Sequence, residues 1–336
     1  MEFGVYSIGD RTPDPLTGRT PGERERLAAM VAIARRAEEA GFDVFAAGEH
    51  HQPPYVSSAP AMLLAHIAAV TATLTLSTAT TLITTNDPVR IAEEHALLQH
   101  LSDGRADLML GKGNARRVFG WFGLDQDDGT AAAAENYTLL RRLWREESVE
   151  FNGRFRSPLT GFTSVPRPLD GRPPLVWHGA VTSTETAELA AEHGDALFAN
   201  HLFWPSEHTR RLVTHFRERY AAAGHGPAED ATVGLGGQVF VRPRSQDAVR
   251  EFRPYFDRAP LYGRGPSLEE YCTTTPLTVG SPQQVVDRVL GFREYAGRYR
   301  RQLFLIDHAG LPLHTVLEQI DLLGAEVLPV LRRENR

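Results

Sequence analysis

Val44-Phe45-Ala46-Ala47-Gly48-Glu49-His50-His51 is a short apolar run that stops abruptly at a cluster of titratable groups. Such a run, ended by glycine and charge, reads as a buried strand arriving at the edge of a sheet. Histidine exchanges protons near neutral pH, so that edge is chemically usable. Working outward, further apolar, β-branched runs lie at residues 3–8, 74–83, 106–110, 175–177, 195–199, 233–241 and 303–306. Helical spacing fills the gaps between them. Leu27, Met30, Val31, Ala34 and Ala37 recur on one face before Gly41, and Leu313, Val316, Leu317, Ile320 and Leu323 repeat the pattern near the end. Other helices are expected at 59–70, 88–101, 131–145, 183–193, 206–222 and 282–295.

Eight strands alternating with helices imply a parallel sheet, and the count favours closure. The expected fold class is therefore α/β, a single (β/α)8 TIM barrel over residues 1–336. Two stretches interrupt the rhythm. Residues 149–174, after the fourth helix, carry the hairpin signal Phe151-Asn152-Gly153-Arg154-Phe155. Residues 242–280, after the seventh strand, are rich in glycine, proline and aromatics, and read as a lid or binding loop. An open doubly wound sheet fits less well, because no Gly-x-Gly-x-x-Gly follows the first strand.

The chain has 336 residues, 42% of them apolar, and a formal charge of −6. That balance argues against nucleic acid or an acidic membrane as the main partner, since both require a basic face. The single cysteine, Cys272, allows no internal disulfide and has no activating neighbour in sequence. No cationic and apolar leader is visible, and no run approaches the ~20 apolar residues that span a bilayer. A cytoplasmic location is the expectation.

In a barrel, catalytic groups collect where strands end. Those ends supply Glu49, His50 and His51; Thr80, Thr81, Thr84 and Asn86; Lys112, Gly113 and Asn114; Trp177, His178 and Gly179; Asn200, His201 and nearby Trp204; and Asp307 with His308. Lys112 is the only lysine in the chain. Flanked by glycines, it is a point cation beside a backbone that a ligand can approach closely. Ser183, Thr184 and Thr186 open the next helix but one, and free N–H groups at a helix start bind phosphate. The same residues read equally as a solvent-facing lysine and an ordinary cap. Adjacent strand residues face opposite ways, so only one of His50 and His51 enters the mouth directly.

These motifs together resemble the luciferase-like family of flavin-dependent monooxygenases, over essentially the whole chain. Glu49-His50-His51, Thr84-Thr85-Asn86-Asp87-Pro88-Val89-Arg90, Leu101-Ser102-Asp103-Gly104-Arg105, Leu110-Gly111-Lys112-Gly113-Asn114 and Val279-Gly280-Ser281-Pro282 carry the likeness in order and spacing. The resemblance implies reduced FMN bound in the barrel mouth as a co-substrate, with a separate flavin reductase supplying it and molecular oxygen as oxidant. His50 matches the family's catalytic base. Glu49, Asn114, His178 and Gly179 become candidate flavin contacts. Lys112 falls where the family more often has arginine, and Ser183 and Thr186 match the phosphate-binding helix start. Ala79 and Thr80 match the site of a non-proline cis peptide behind the flavin ring. His51, His201, Trp204 and His308 are left as candidate substrate contacts, and Trp121, Phe122, Trp177, Phe203 and Tyr262 as aromatic lining. A homodimer through the helices after strands two and three is also implied. Three other readings stay open: a deazaflavin-dependent dehydrogenase on the same fold, a non-catalytic flavin-binding protein, and a metal-dependent hydrolase. The last is weakened because His50 and His51 do not readily ligate one ion together; no metal site is expected.

Overall fold

A computed structural model describes residues 1–262 and 265–335; Gly263 and Arg264, within the 242–280 stretch, and Arg336 lie outside the described residues. Its strands are β1 (Glu2–Ser7), β2 (Val44–Ala47), β3 (Thr75–Thr78), β4 (Thr81–Leu82), β5 (Leu108–Gly111), β6 (Val149–Phe151), β7 (Leu159–Phe162), β8 (Val176–Ala180), β9 (Ala196–Ala199), β10 (Val233–Val241), β11 (Thr278–Gly280) and β12 (Arg301–Leu305). Nine of them form one parallel circuit in the order β3-β2-β1-β12-β10-β9-β8-β5-β4. The expected third strand is split into β3 and β4 at Ala79–Thr80, where the peptide bond is cis. A bridge from Leu76 to Ala106 joins that strand to the chain entering β5, so the sheet closes into the expected α/β barrel.

Burial follows from alternation along each strand. Tyr6, Val44, Ala46, Met109, Trp177, Phe198, Leu303 and Leu305 fill the lumen. Phe3, Val5, Phe45, Phe304 and Ile306 point outward and pack with Met30, Ile33, Leu64 and Val316 from the surrounding helices. At the amino-terminal end of the strands the lumen is plugged by charge. Arg301, 1% exposed, sits 2.7 Å from Asp107 and 2.8 Å from Glu2, with its guanidinium 4.4 Å above the Trp177 ring. Arg301 stacks and pairs at once, which a planar guanidinium does and an ammonium does not.

The hairpin expected in 149–174 is present as β6 and β7, antiparallel, though seven residues separate the strands where Asn152-Gly153 alone suggested a two-residue turn. The 242–280 stretch is not a loop. It folds as helices Ser245–Arg258 and Leu268–Thr274 and as β11, which pairs with β10. Phe252, Tyr255, Phe256, Tyr262, Tyr271 and Leu277 build a local core against Phe240. The aromatics that suggested a binding surface are spent on packing. Among the described residues no helix is long and apolar enough to cross a membrane.

Candidate active site

The strand ends meet at one mouth, and its two halves are built differently. On the β2–β5 side, Glu49 is 4% exposed and its carboxylate is saturated. It accepts from the Leu82 N–H at 3.0 Å, from Asn86 Nδ2 at 2.9 and 3.1 Å and from Thr85 Oγ1 at 3.1 Å, and lies 2.7 Å from His51 Nε2. Glu49 therefore ties the end of β2 to the exit of β4. With its acceptor sites taken by protein donors, its geometry is that of an orienting partner, one of the two roles open to it in sequence beside that of a flavin contact. Of the partners that hold it, Asn86 was legible as a strand-end polar residue and Thr85 only within the Thr84–Arg90 motif.

His50 leaves β2 on the other face. Its ring stacks on Tyr55, centroids 4.0 Å apart and planes 19° from parallel. Burial, helped by the neighbouring His51, pushes its pKa down to about 4, so it is neutral at pH 7. Its Nε2 lies 3.6 Å from where a Cβ on Gly48 would sit, and that same Cβ would be 3.2 Å from the Ala79 carbonyl oxygen. Gly48 thus opens the corner between β2 and the Ala79–Thr80 bond. Tyr55, which follows the cis Pro53–Pro54 bond, was not legible as a site residue.

Thr80 points across the barrel. A Cβ on Gly111 would fall 2.3 Å from Thr80 Oγ1, and one on Gly179 would fall 2.7 Å from Thr80 Cγ2. The two glycines are on adjacent strands β5 and β8, and their missing side chains make the seat for Thr80. Beyond Gly111, Lys112 donates from Nζ to Thr130 Oγ1 at 2.8 Å, and its carbonyl accepts from Thr84 Oγ1 at 2.7 Å. Gly113 has φ of +81°, a left-handed turn that glycine adopts freely and that releases Asn114 into the exposed loop before helix Arg116–Trp121. Ser183 caps helix Thr184–His193, accepting from the Thr186 N–H at 3.2 Å and from Thr186 Oγ1 at 3.1 Å. Glu185, in the first turn, is held below its ordinary value by hydrogen bonds from its own backbone and Ser183, and by the positive charge of Lys112. The charge of Lys112 thus reaches the first turn of this helix.

Three histidines do not take the places expected of them. His178 was read as following its strand, but β8 continues to Ala180 and the neighbouring Trp177 fills the lumen. His178 is consequently turned outward, edge-on to Tyr137 at 4.6 Å and 3.3 Å from Asp195. His201 is 2% exposed and packs edge-on to Phe292, with Nε2 3.3 Å from the Tyr295 hydroxyl; burial lowers it to about 3. His308 has Nδ1 2.8 Å from the Tyr262 hydroxyl and is lowered to about 4, again by burial. His178 and His201 are core histidines with an internal partner, while His308, 1% exposed, also lines the cavity at the β1–β12 rim. Trp177 and Tyr262 are likewise buried core, not lining. Trp121, at the end of helix Arg116–Trp121, and Phe122, Phe203 and Trp204 are exposed in the segments after β5 and β9, and Phe122 also rests 4.6 Å from His51. Cys272 is pushed up to about 11, mainly by burial, and carries no thiolate at neutral pH.

The β1–β12–β10 side contrasts with all this. Tyr6 Oη, both amide atoms of Gln238 and Asp307 Oδ1 are buried without a protein partner. Among the described residues no three His, Cys, Asp or Glu side chains converge as metal ligands do.

Residues 1–299 match the family described as luciferase-like monooxygenase. The chain belongs to that family. The oxygenase component of a flavin-dependent trigonelline monooxygenase from Acinetobacter baylyi is 23% identical over 356 residues, covering 98% of this chain and 95% of that one. The oxygenating constituent of 3,6-diketocamphane monooxygenase from Pseudomonas putida, a type II Baeyer-Villiger enzyme solved with FMN, superposes with a TM-score of 0.81 at 18% identity, covering 98% of each chain. An F420-dependent secondary alcohol dehydrogenase holding an F420–acetone adduct superposes at 0.77 with 17% identity, covering 98% of this chain and 99% of that one. The luciferase-like chain thus shares its barrel both with flavin monooxygenases and with a deazaflavin dehydrogenase.

Proposed function

We propose that this chain is the oxygenase of a two-component system, using reduced FMN and oxygen to oxygenate a small organic substrate. One observation carries the reading: next to the glycine seat of Gly111 and Gly179, the charge of Lys112 reaches Glu185 in the first turn of the Ser183-capped helix. A phosphate fits there by charge and by donor geometry, and the open corner at Gly48 leaves room for a planar ring. The phosphate would be held by Lys112, Ser183 and Thr186, with Glu185 turning aside. The ring would lie over Ala79 and Thr80, within reach of Asn114 and Gly179. When bound, reduced flavin supplies the oxygen activation that no side chain of this protein offers.

The protein's own work is positional and protonic. Neutral His50 holds one acceptor nitrogen ready for a proton, in the plane set by Tyr55. Glu49 and Asn86 fix the corner around it. His51, Trp204 and the exposed aromatics of the rim suit an apolar substrate surface. The relative named as an oxygenase component supports a partner reductase. Met62, Leu97 and Leu101 are exposed on helices Pro60–Ala68 and Pro88–Leu101, which supports a homodimer through that face. The whole chain then works as one domain, in the cytoplasm where reduced flavin is made.

The rival reading, a deazaflavin dehydrogenase, is favoured by the F420-dependent relatives and neighbours. Anaerobic titration with reduced FMN and with reduced F420, followed by admission of oxygen, separates the two. Saturable binding of FMN and its altered rate of reoxidation when bound are expected. Preference for F420 with no effect on flavin oxidation would replace the proposal.

A further inference from the structure

A cavity of about 290 Å³ lies at the rim between β1 and β12, under residues 10–21 and against the starts of helices Glu23–Glu39 and Leu313–Leu322. In the circuit of strands it is diametrically opposite the β5–β8 phosphate site. None of Glu49, His50, Lys112 or Ser183 lines it. Its wall is mixed. Ala29, Ile33, Leu311 and Val316 give one apolar side, while Asp10, Asp14, Glu25 and Asp307 face Arg19 and Arg26 on the other.

The charges do not cancel. Arg26 is 2.6 Å from Asp307 and 3.7 Å from Asp10, and Arg19 is 2.7 Å from Glu25. Four carboxylates face two guanidiniums, so acid groups are in excess, although burial holds Asp307 above its ordinary value and His308 and His314 also line the cavity. Asp307 is 4% exposed, and only its Oδ2 is used, by Ser7 Oγ at 2.7 Å and by Arg26; Oδ1 has no protein partner. A buried carboxylate oxygen without a donor is costly, by about 1–3 kcal/mol, and asks for one. Among the described residues no three acidic or histidine side chains converge as metal ligands do, which argues against a metal ion as the filling.

We infer that this cavity binds a small organic cation, an alkylammonium group whose N–H donors meet Asp307 Oδ1 and whose carbon chain lies on Ile33 and Val316. The site is independent of the flavin reading, because no residue is shared. A ligand there touches the β1 and β12 ends on the far side of the mouth from the phosphate. It is placed either to hold the charged end of a substrate or to bind alongside one.

Isothermal titration of the full chain with n-butylammonium, n-butanol and n-butyrate tests this, with FMN titrated in parallel. Butylammonium should bind at least tenfold more tightly than butanol, and butyrate not at all. Asp307→Asn should weaken butylammonium tenfold or more and leave FMN affinity unchanged. Should that variant fail to fold, Leu313→Trp fills the outer end of the cavity from a partly exposed position without touching its charges, and should abolish butylammonium binding alone. Equal affinity for butanol, binding of butyrate, or full affinity in Leu313→Trp would overturn the assignment. Loss of FMN binding with butylammonium binding intact would instead remove the flavin reading and leave this one standing.

Discussion

The two halves of the mouth use polar groups in opposite ways. On the β2–β5 side the polar groups around the corner are mostly paired within the protein: Glu49 takes donors from four residues, Thr84 reaches the Lys112 carbonyl and Ser183 closes on Thr186, while Thr81 Oγ1 is the buried exception. On the β1–β12–β10 side Tyr6, Gln238 and Asp307 keep buried atoms unpaired. A half that satisfies itself is rigid before any ligand comes, which suits a cofactor of fixed shape. A half that leaves donors and acceptors open is completed by something else, and its shape is free to differ between relatives on one barrel.

The comparison breaks most readily at Glu49. Glu49→Ala strands the Leu82 N–H, the Asn86 amide and His51 in a buried corner, and should cost about 3 kcal/mol by urea denaturation. A variant within 0.5 kcal/mol of the parent would show that the paired half is not a structural clamp. Acid acts on both halves at comparable size. His50, His95, His201 and His308 are all lowered by burial, to between about 3 and about 4. Their unfolded pKa is near 6.5, so the unfolded state binds more protons as pH drops. Stability should therefore be full above pH 6.5 and decline by a few kcal/mol on the way to pH 4. His201→Phe should flatten that decline, and an unchanged slope would mean His201 is solvated.

Smaller effects separate ligand binding from folding. His50→Ala should alter reoxidation of bound reduced FMN by at least tenfold in stopped-flow, about 1.4 kcal/mol of barrel-mouth chemistry, with FMN affinity preserved. Lys112→Ala should weaken FMN by about tenfold, again about 1.4 kcal/mol. Lys112→Arg should hold or improve affinity through its bidentate fork, and a loss there would move the phosphate elsewhere. The smallest change expected is Gln238→Leu. Removing an amide with neither end paired should leave the thermal midpoint level or raise it; a clear fall would mean that water or protein already satisfies Gln238.

Much of this was legible in sequence, for reasons that also mark where legibility stops. Short continuous apolar, β-branched runs alternating with helical spacing identified the barrel, because strands of a parallel sheet are buried on both faces. The direction of a side chain at a strand end was not, since it depends on where the strand stops to within one residue. Ending the fifth strand at residue 177 made His178 a rim residue; three more residues of β8 turned it outward. The last strand shows the same error at its start. Begun at residue 303, it left Arg301 in a connecting loop, whereas pairing from Glu2 to Arg301 places it across the lumen floor. Gln238 was visible in principle, as one amide in the apolar strand Val233–Val241, two positions beyond Gly236 on the lumen face.

That floor has a kinetic corollary. With Arg301, Asp107 and Glu2 corking the lower end, the cylinder has one door, and small molecules that share it must queue. Whichever settles deeper enters before the other and departs after it. Steady-state patterns with this protein should be sequential and ordered, and a visitor lodged near the lip should slow escape of the one beneath it.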